Sequence, residues 1–139
     1  MSLSALLERV EACQGPDRAL DAAICRLTRY TSEQPDGTWL DTFEGGYRHT
    51  INPPALTASV DAALALIGRV LPGWLVSIDA FSVKGWQACL LKPDGKFLVA
   101  EDLEVYGRAP TPALALCAAL LAAMIGEEVK PSPPSTVTP

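Results

Sequence analysis

His49 is the only histidine among the 139 residues, and an imidazole is the side chain best suited to take up and release a proton near neutral pH. A general base also needs an orienting partner and a nucleophile within reach. The carboxylates close to it in sequence are Asp41 and Glu44, and the hydroxyls are Thr42 and Thr50. Their spacing defines no dyad, so His49 reads first as a loop or surface histidine and only second as the base of a small enzyme. The four cysteines, Cys13, Cys25, Cys89 and Cys117, form no CxxC and no metal-ligand spacing. Each lies in an apolar stretch, where a free thiol behaves as a small hydrophobe. Gly45-Gly46 lacks the lysine and spacing of a phosphate loop. Asp36-Gly37 and Asp94-Gly95 read as turns rather than calcium loops, and no Gly-x-Ser-x-Gly elbow is present. No catalytic residue, metal site or cofactor is expected.

Aromatic and cationic side chains offer a different chemistry. Trp39, Tyr47, Arg48 and His49 fall in one polar stretch, and Tyr106 and Arg108 fall in a second. An aromatic plane beside a guanidinium suits a base and a phosphate. These six residues are the candidate ligand-binding set. Trp39 and Tyr47 serve equally well as anchors pinning a loop to the body or as contacts for a partner. Trp74 and Trp86 sit at strand positions and read as core.

The elements that must position these groups follow from hydrophobic periodicity. Leu3, Leu6, Leu7 and Val10 mark one face of a helix over 3–13. Gly15-Pro16-Asp17 breaks the chain and starts a second helix, with Pro16 at its first position and Asp17 near its positive end. Leu20, Ile24 and Leu27 give that helix its inner face. Residues 30–56 show no lasting period and read as a long irregular loop, in which Thr38-Trp39-Leu40 or Tyr47-Arg48-His49 offers a short edge strand. Thr57 is the expected N-cap of a third helix, with Val60, Leu64, Ile67 and Leu71 as its stripe and Pro72-Gly73 as its end. Alternation predicts strands over 74–81, 86–92 and 96–101, the last two joined at Asp94-Gly95. Residues 102–110 read as a connector. Thr111-Pro112 opens a fourth helix that is apolar nearly all round and is therefore buried, with Gly126 as its C-cap. The tail 130–139, rich in Pro, Ser and Thr, is expected to be disordered. The reading is a single α+β domain over 1–129: a three-stranded antiparallel meander packed with about four helices.

Composition narrows the partners. A net charge of −5 disfavours a nucleic-acid backbone. Arg9, Arg18, Arg26 and Arg29 alternate with Glu8, Glu11, Asp17 and Asp21, which reads as a solvated face. The longest apolar run, Ala113 to Ile125, falls short of the ~20 residues of a membrane span. With no signal-like start and free cysteines, a soluble protein of a reducing compartment is expected.

Three segments, taken together, resemble a known family. They are Gly15-Pro16-Asp17-Arg18-Ala19-Leu20-Asp21-Ala22-Ala23-Ile24; Tyr47-Arg48-His49-Thr50 running to Thr57-Ala58-Ser59-Val60-Asp61-Ala62-Ala63-Leu64 and Leu71-Pro72-Gly73-Trp74; and Thr111-Pro112-Ala113-Leu114-Ala115-Leu116-Cys117-Ala118-Ala119-Leu120. Over about residues 5–125 the chain resembles the phage ABA sandwich domain, a family of small phage and prophage proteins. The resemblance implies an α/β/α-type sandwich, a phage or prophage origin and a bacterial cytoplasmic setting. It brings no catalytic residue. The expected function is a non-enzymatic accessory protein that binds a host or phage protein, or a small ligand of nucleotide type. A homo-oligomer paired through a wet sheet face or through the Leu116/Leu120 stripe is the alternative, and an enzyme using His49 is a third. Neither a nucleic acid nor a membrane is expected as a partner.

Overall fold

Caps set the helices of the computed structural model, which describes residues 2–28, 31–43, 45–83, 85–92 and 104–129. Helix α1, Leu3–Ala12, starts where the Ser2 hydroxyl accepts the Ala5 N–H at 3.1 Å, and it buries Leu6 and Val10. Helix α2, Arg18–Thr28, starts two residues later than expected. The Asp17 carboxylate accepts the Leu20 N–H at 3.1 Å, so Asp17 is the cap and Pro16 lies outside the helix. Helix α3, Val60–Val70, is capped by Ser59 through the Ala62 N–H at 3.1 Å. Thr57 does not cap it. It is buried and bonded to Asp17 and Asp21 instead, because a carboxylate taken out of water needs donors. Helix α4, Pro112–Val129, opens on the Thr111 hydroxyl, which accepts the Leu114 N–H at 3.2 Å. It passes through Gly126 rather than ending there.

The stretch 30–56, expected as an irregular loop, carries a second sheet. Strands β1 (Thr31–Glu33), β2 (Trp39–Phe43) and β3 (Gly46–Thr50) pair antiparallel in that order. Asp36-Gly37 forms the first turn. Gly37 adopts φ +85°, and the Asp36 carboxylate accepts the Thr38 N–H at 2.9 Å. Gly45, at φ +97°, turns β2 into β3. Of the two short edge strands offered in sequence, Trp39-Leu40 falls in β2 and Tyr47-Arg48-His49 in β3, but periodicity does not reveal the sheet as a whole, for a physical reason. β1 spans three residues, and β3 is exposed along nearly its whole length, so no buried face imposes alternation.

The main sheet contains β4 (Leu75–Ser82), β5 (Gly85–Leu91) and β6 (Glu104–Ala109), in that order and antiparallel. β6 is the segment expected as a connector. The expected strand 96–101, its Asp94-Gly95 turn and the tail 130–139 lie outside the described residues. Gly107 disguised β6, since an interior glycine reads as a break, yet here it lets α4 approach the sheet. Every residue from Ala113 to Leu121 is buried. α4 packs on β5 and β6 on one side and on α1 and α3 on the other. Four helices and two three-stranded antiparallel sheets among the described residues make an α+β fold. No helix among those residues is long and apolar enough to cross a membrane.

Candidate functional site

Strand register assembles the polar centre of the small sheet. Thr31 lies opposite Asp41, and Asp41 lies opposite Arg48, so one row across β1, β2 and β3 carries a hydroxyl, a carboxylate and a guanidinium. Side chains of paired residues share a face. Arg69 in the last turn of α3 completes the group. Its Nη1 donates to Asp41 Oδ1 at 2.5 Å, while Arg48 Nη2 donates to Oδ2 at 3.1 Å and the Thr31 hydroxyl donates to Oδ1 at 3.3 Å. Asp41 is 3% exposed. A cleft of about 80 Å³ opens beside it, edged by these four residues and Cys25. Pro54, Leu56, Ala62, Ala65 and Leu66 supply its apolar wall.

Burial pushes the Asp41 carboxyl up, but hydrogen bonds and charge from Arg69 and Arg48 outweigh it and hold the group below the usual carboxylate value. A folded-state pKa held down stabilises the fold at every pH above the unfolded value. That stabilisation is lost as pH falls through the ordinary carboxylate value of about 4 and then through the lower folded one. Acid titration of thermal stability is therefore expected to show a steeper fall below about pH 4 for the native protein than for Asp41→Asn. Parallel curves for the two proteins would refute the pairing. Burial also pushes the Cys25 and Cys117 thiols up to about 12, so both remain protonated, inert side chains at neutral pH.

The structure distributes the six expected binding residues over separate places. Trp39 is 4% exposed and belongs to the core, with the Arg26 guanidinium 5.5 Å from its ring centroid. Of its two open roles, the anchor is the one realised. Arg48 edges the cleft. Tyr47 and His49 alternate with it along β3 and so occupy the opposite face, where their rings meet edge-on at 6.1 Å. Tyr106 and Arg108 sit on β6 in the other sheet. There the Tyr106 hydroxyl donates to Glu104 and Arg108 Nε donates to Gln87 at 2.8 Å. The Glu104 bond holds the Tyr106 phenol up at about 12.

Asp41, considered in sequence only as a carboxylate for His49, faces away from it. Arg69, Thr31 and Cys25 carried no local signal, because only the β1–β2–β3 register and the direction of α3 bring them together. The Asp36-Gly37 and Gly45-Gly46 turns were the available clue to that register. Among the described residues no cluster of His, Cys, Asp or Glu could hold a metal ion, and no buried side-chain nitrogen or oxygen lacks a hydrogen-bond partner.

Fold and site define a small α+β domain with an arginine-edged cleft under a short accessory sheet. Models of protein families, curated proteins and solved structures yield no match to this chain.

Proposed function

We propose that this chain is a non-enzymatic binding protein that docks a partner protein through the outward face of β3. The observation that carries the reading is the exposure of that strand and its continuation: Tyr47 is 67% exposed and Ile51 82%, with His49 between them. Large aromatic and aliphatic side chains left in water on a terminal strand are the composition of an interface core. The resemblance to phage ABA sandwich proteins supports a host or phage protein in the bacterial cytoplasm as that partner. A nucleotide fits less well, because Tyr47 and Arg48 occupy opposite faces of β3 and do not converge on one ligand. An enzyme built on His49 draws no support from Asp41, which faces the other way.

Self-association is the second reading. Leu75 and Tyr106 are each about half exposed on the main sheet, and both lie on the side away from α4. Native mass spectrometry of gently purified protein separates the two readings. Under the partner reading, an added protein mass disappears from the Tyr47→Ser/Ile51→Ser variant and persists in Leu75→Ser/Tyr106→Ser. A complex retained at full occupancy by the β3 variant would overturn the assignment. A dimer of the chain alone, lost only in the second variant, would establish the alternative.

A further inference from the structure

β3 is the last strand of its sheet: among the described residues no strand lies beyond it. The way its backbone points follows from the turn between β1 and β2. There the Gln34 N–H donates to the Thr38 carbonyl at 2.8 Å, so Thr38 turns its backbone toward β1. That direction alternates along an antiparallel strand. Leu40 therefore also faces β1, while Trp39 and Asp41 face β3. Their register partners, Thr50 and Arg48, point back at β2. The N–H and C=O groups of Tyr47 and His49 are left pointing out of the sheet edge. Among the described residues no backbone bond from outside the sheet reaches them.

Two donors and two acceptors, repeating at about 7 Å, are a template for one more strand. Two other edges of the fold are blunted. β1 packs against α2, and β4 carries a register irregularity between Ala80 and Ser82. β3 has neither device. Gly46–Thr50 contains no proline, and its pairing with β2 runs without a shift. Residues paired across strands share a face. An added antiparallel strand would therefore set its alternate side chains beside Tyr47 and His49, and apolar ones would cover the exposed Tyr47 ring. A second copy of this chain suits the edge poorly, because each copy carries a net charge of −5. A cationic segment is the complementary one.

We infer that the partner adds an extended strand to β3, antiparallel, basic overall and apolar at alternate positions, bonded to the backbone of Tyr47 and His49. The inference rests on docking through β3 and names the form of what docks there.

The probe is the peptide acetyl-Lys-Val-Thr-Val-Thr-Val-Lys-amide, titrated into the isotope-labelled full chain and followed by amide shifts and hydrogen exchange. In the free protein the amides of Tyr47 and His49 are expected to exchange quickly and those of Arg48 and Thr50 slowly. The peptide should protect the first two. N-methylation of its valines, whose N–H groups face β3, should weaken binding about tenfold or more. N-methylation of its threonines, whose N–H groups face away, should change affinity by less than about twofold. Replacing both lysines with glutamate should weaken binding. His49→Pro should abolish binding and keep the fold, since proline is tolerated where the N–H points out of a sheet. His49→Ser keeps the backbone donor and should still bind. No saturable binding of the parent peptide up to about 1 mM, or equal affinity for the parent and its valine-methylated form, would overturn strand addition. Protection of Tyr47 and His49 in the protein alone, rising with its concentration, would name a second copy and overturn the basic segment. Full affinity for the peptide in Tyr47→Ser/Ile51→Ser would overturn the side-chain face proposed above and support pairing through the edge.

Discussion

Replacing Gly107 with alanine is expected to destabilise the protein by about 3 kcal/mol and to lower its thermal midpoint by roughly 10 °C. A Cβ added there would come under 3.0 Å from three backbone atoms of α4: the Ala119 nitrogen, the Ala115 carbonyl oxygen and the Ala119 Cα. Side chains can rotate away from an intruding methyl, but helix backbone cannot. α4 must lift from β6 or β6 must leave its register, and either motion opens the core between Leu90, Leu116 and Leu120. The contact is made from both sides. Ala115 and Ala119, one turn apart on α4, present the smallest chiral side chain where the helix meets the sheet, and Gly107 presents none. Gly68 is the matched control. It lies in the interior of α3 with open space around its would-be Cβ. Gly68→Ala is therefore expected to stabilise the fold by about 0.5–1 kcal/mol, by raising helix propensity and reducing the freedom of the unfolded chain. Urea titrations of the two variants read both signs. A Gly107→Ala midpoint within 2 °C of the native value would mean that α4 and β6 are not in backbone contact.

The same glycine shows why parts of this fold can be read from sequence and others cannot. The four helices were legible because each buries a face. Leu6 and Val10, Leu20 and Ile24, Ile67 and Leu71, and the run from Ala113 to Leu121 all recur at helical spacing and are buried in the structure, although Val60 and Leu64 of the third stripe are only half-buried. β4 and β5 were legible from their alternation. β6 was not, because its centre is a glycine chosen for a neighbour far along the chain. The small sheet was hidden for the opposite reason: its outer strand buries almost nothing, so no hydrophobic period could betray it. The candidate site inherits this limit. Arg48 was singled out in sequence for its type, but its partner Arg69 comes from a different element, and no local spacing connects the two. Trp39 was legible as important but ambiguous in role. Only its burial under Arg26 makes it an anchor of the small sheet to the body.

The other large loss is expected at Asp21, whose carboxylate is fully buried, at 0% exposed. Its Oδ1 accepts the Thr57 N–H at 2.8 Å and the Thr57 hydroxyl at 2.8 Å, and its Oδ2 accepts Arg18 Nη1 at 3.0 Å. The Thr57 hydroxyl in turn accepts the Asp17 N–H at 2.8 Å. This network ties the first turn of α2 to the segment leading into α3. Asp21→Ala removes the acceptor and leaves a buried backbone N–H without a partner, so a loss of about 3 kcal/mol is expected. Asp21→Asn keeps one acceptor oxygen and should cost about 1 kcal/mol. Thr57→Val strips the Asp17 N–H of its acceptor and should cost about 2 kcal/mol. A double-mutant cycle between Asp21→Ala and Thr57→Val should give a coupling of 1 kcal/mol or more in magnitude, because the two groups share one bond. The effect reaches the cleft as well. Arg18 Nη2 holds the Pro53 carbonyl at 3.0 Å and the Cys117 thiol contacts the Leu56 carbonyl at 3.5 Å. Pro54 and Leu56, which line the cleft, therefore hang on the same anchor. Urea denaturation showing Asp21→Ala within 0.5 kcal/mol of native would mean that the buried carboxylate is not what fastens this segment.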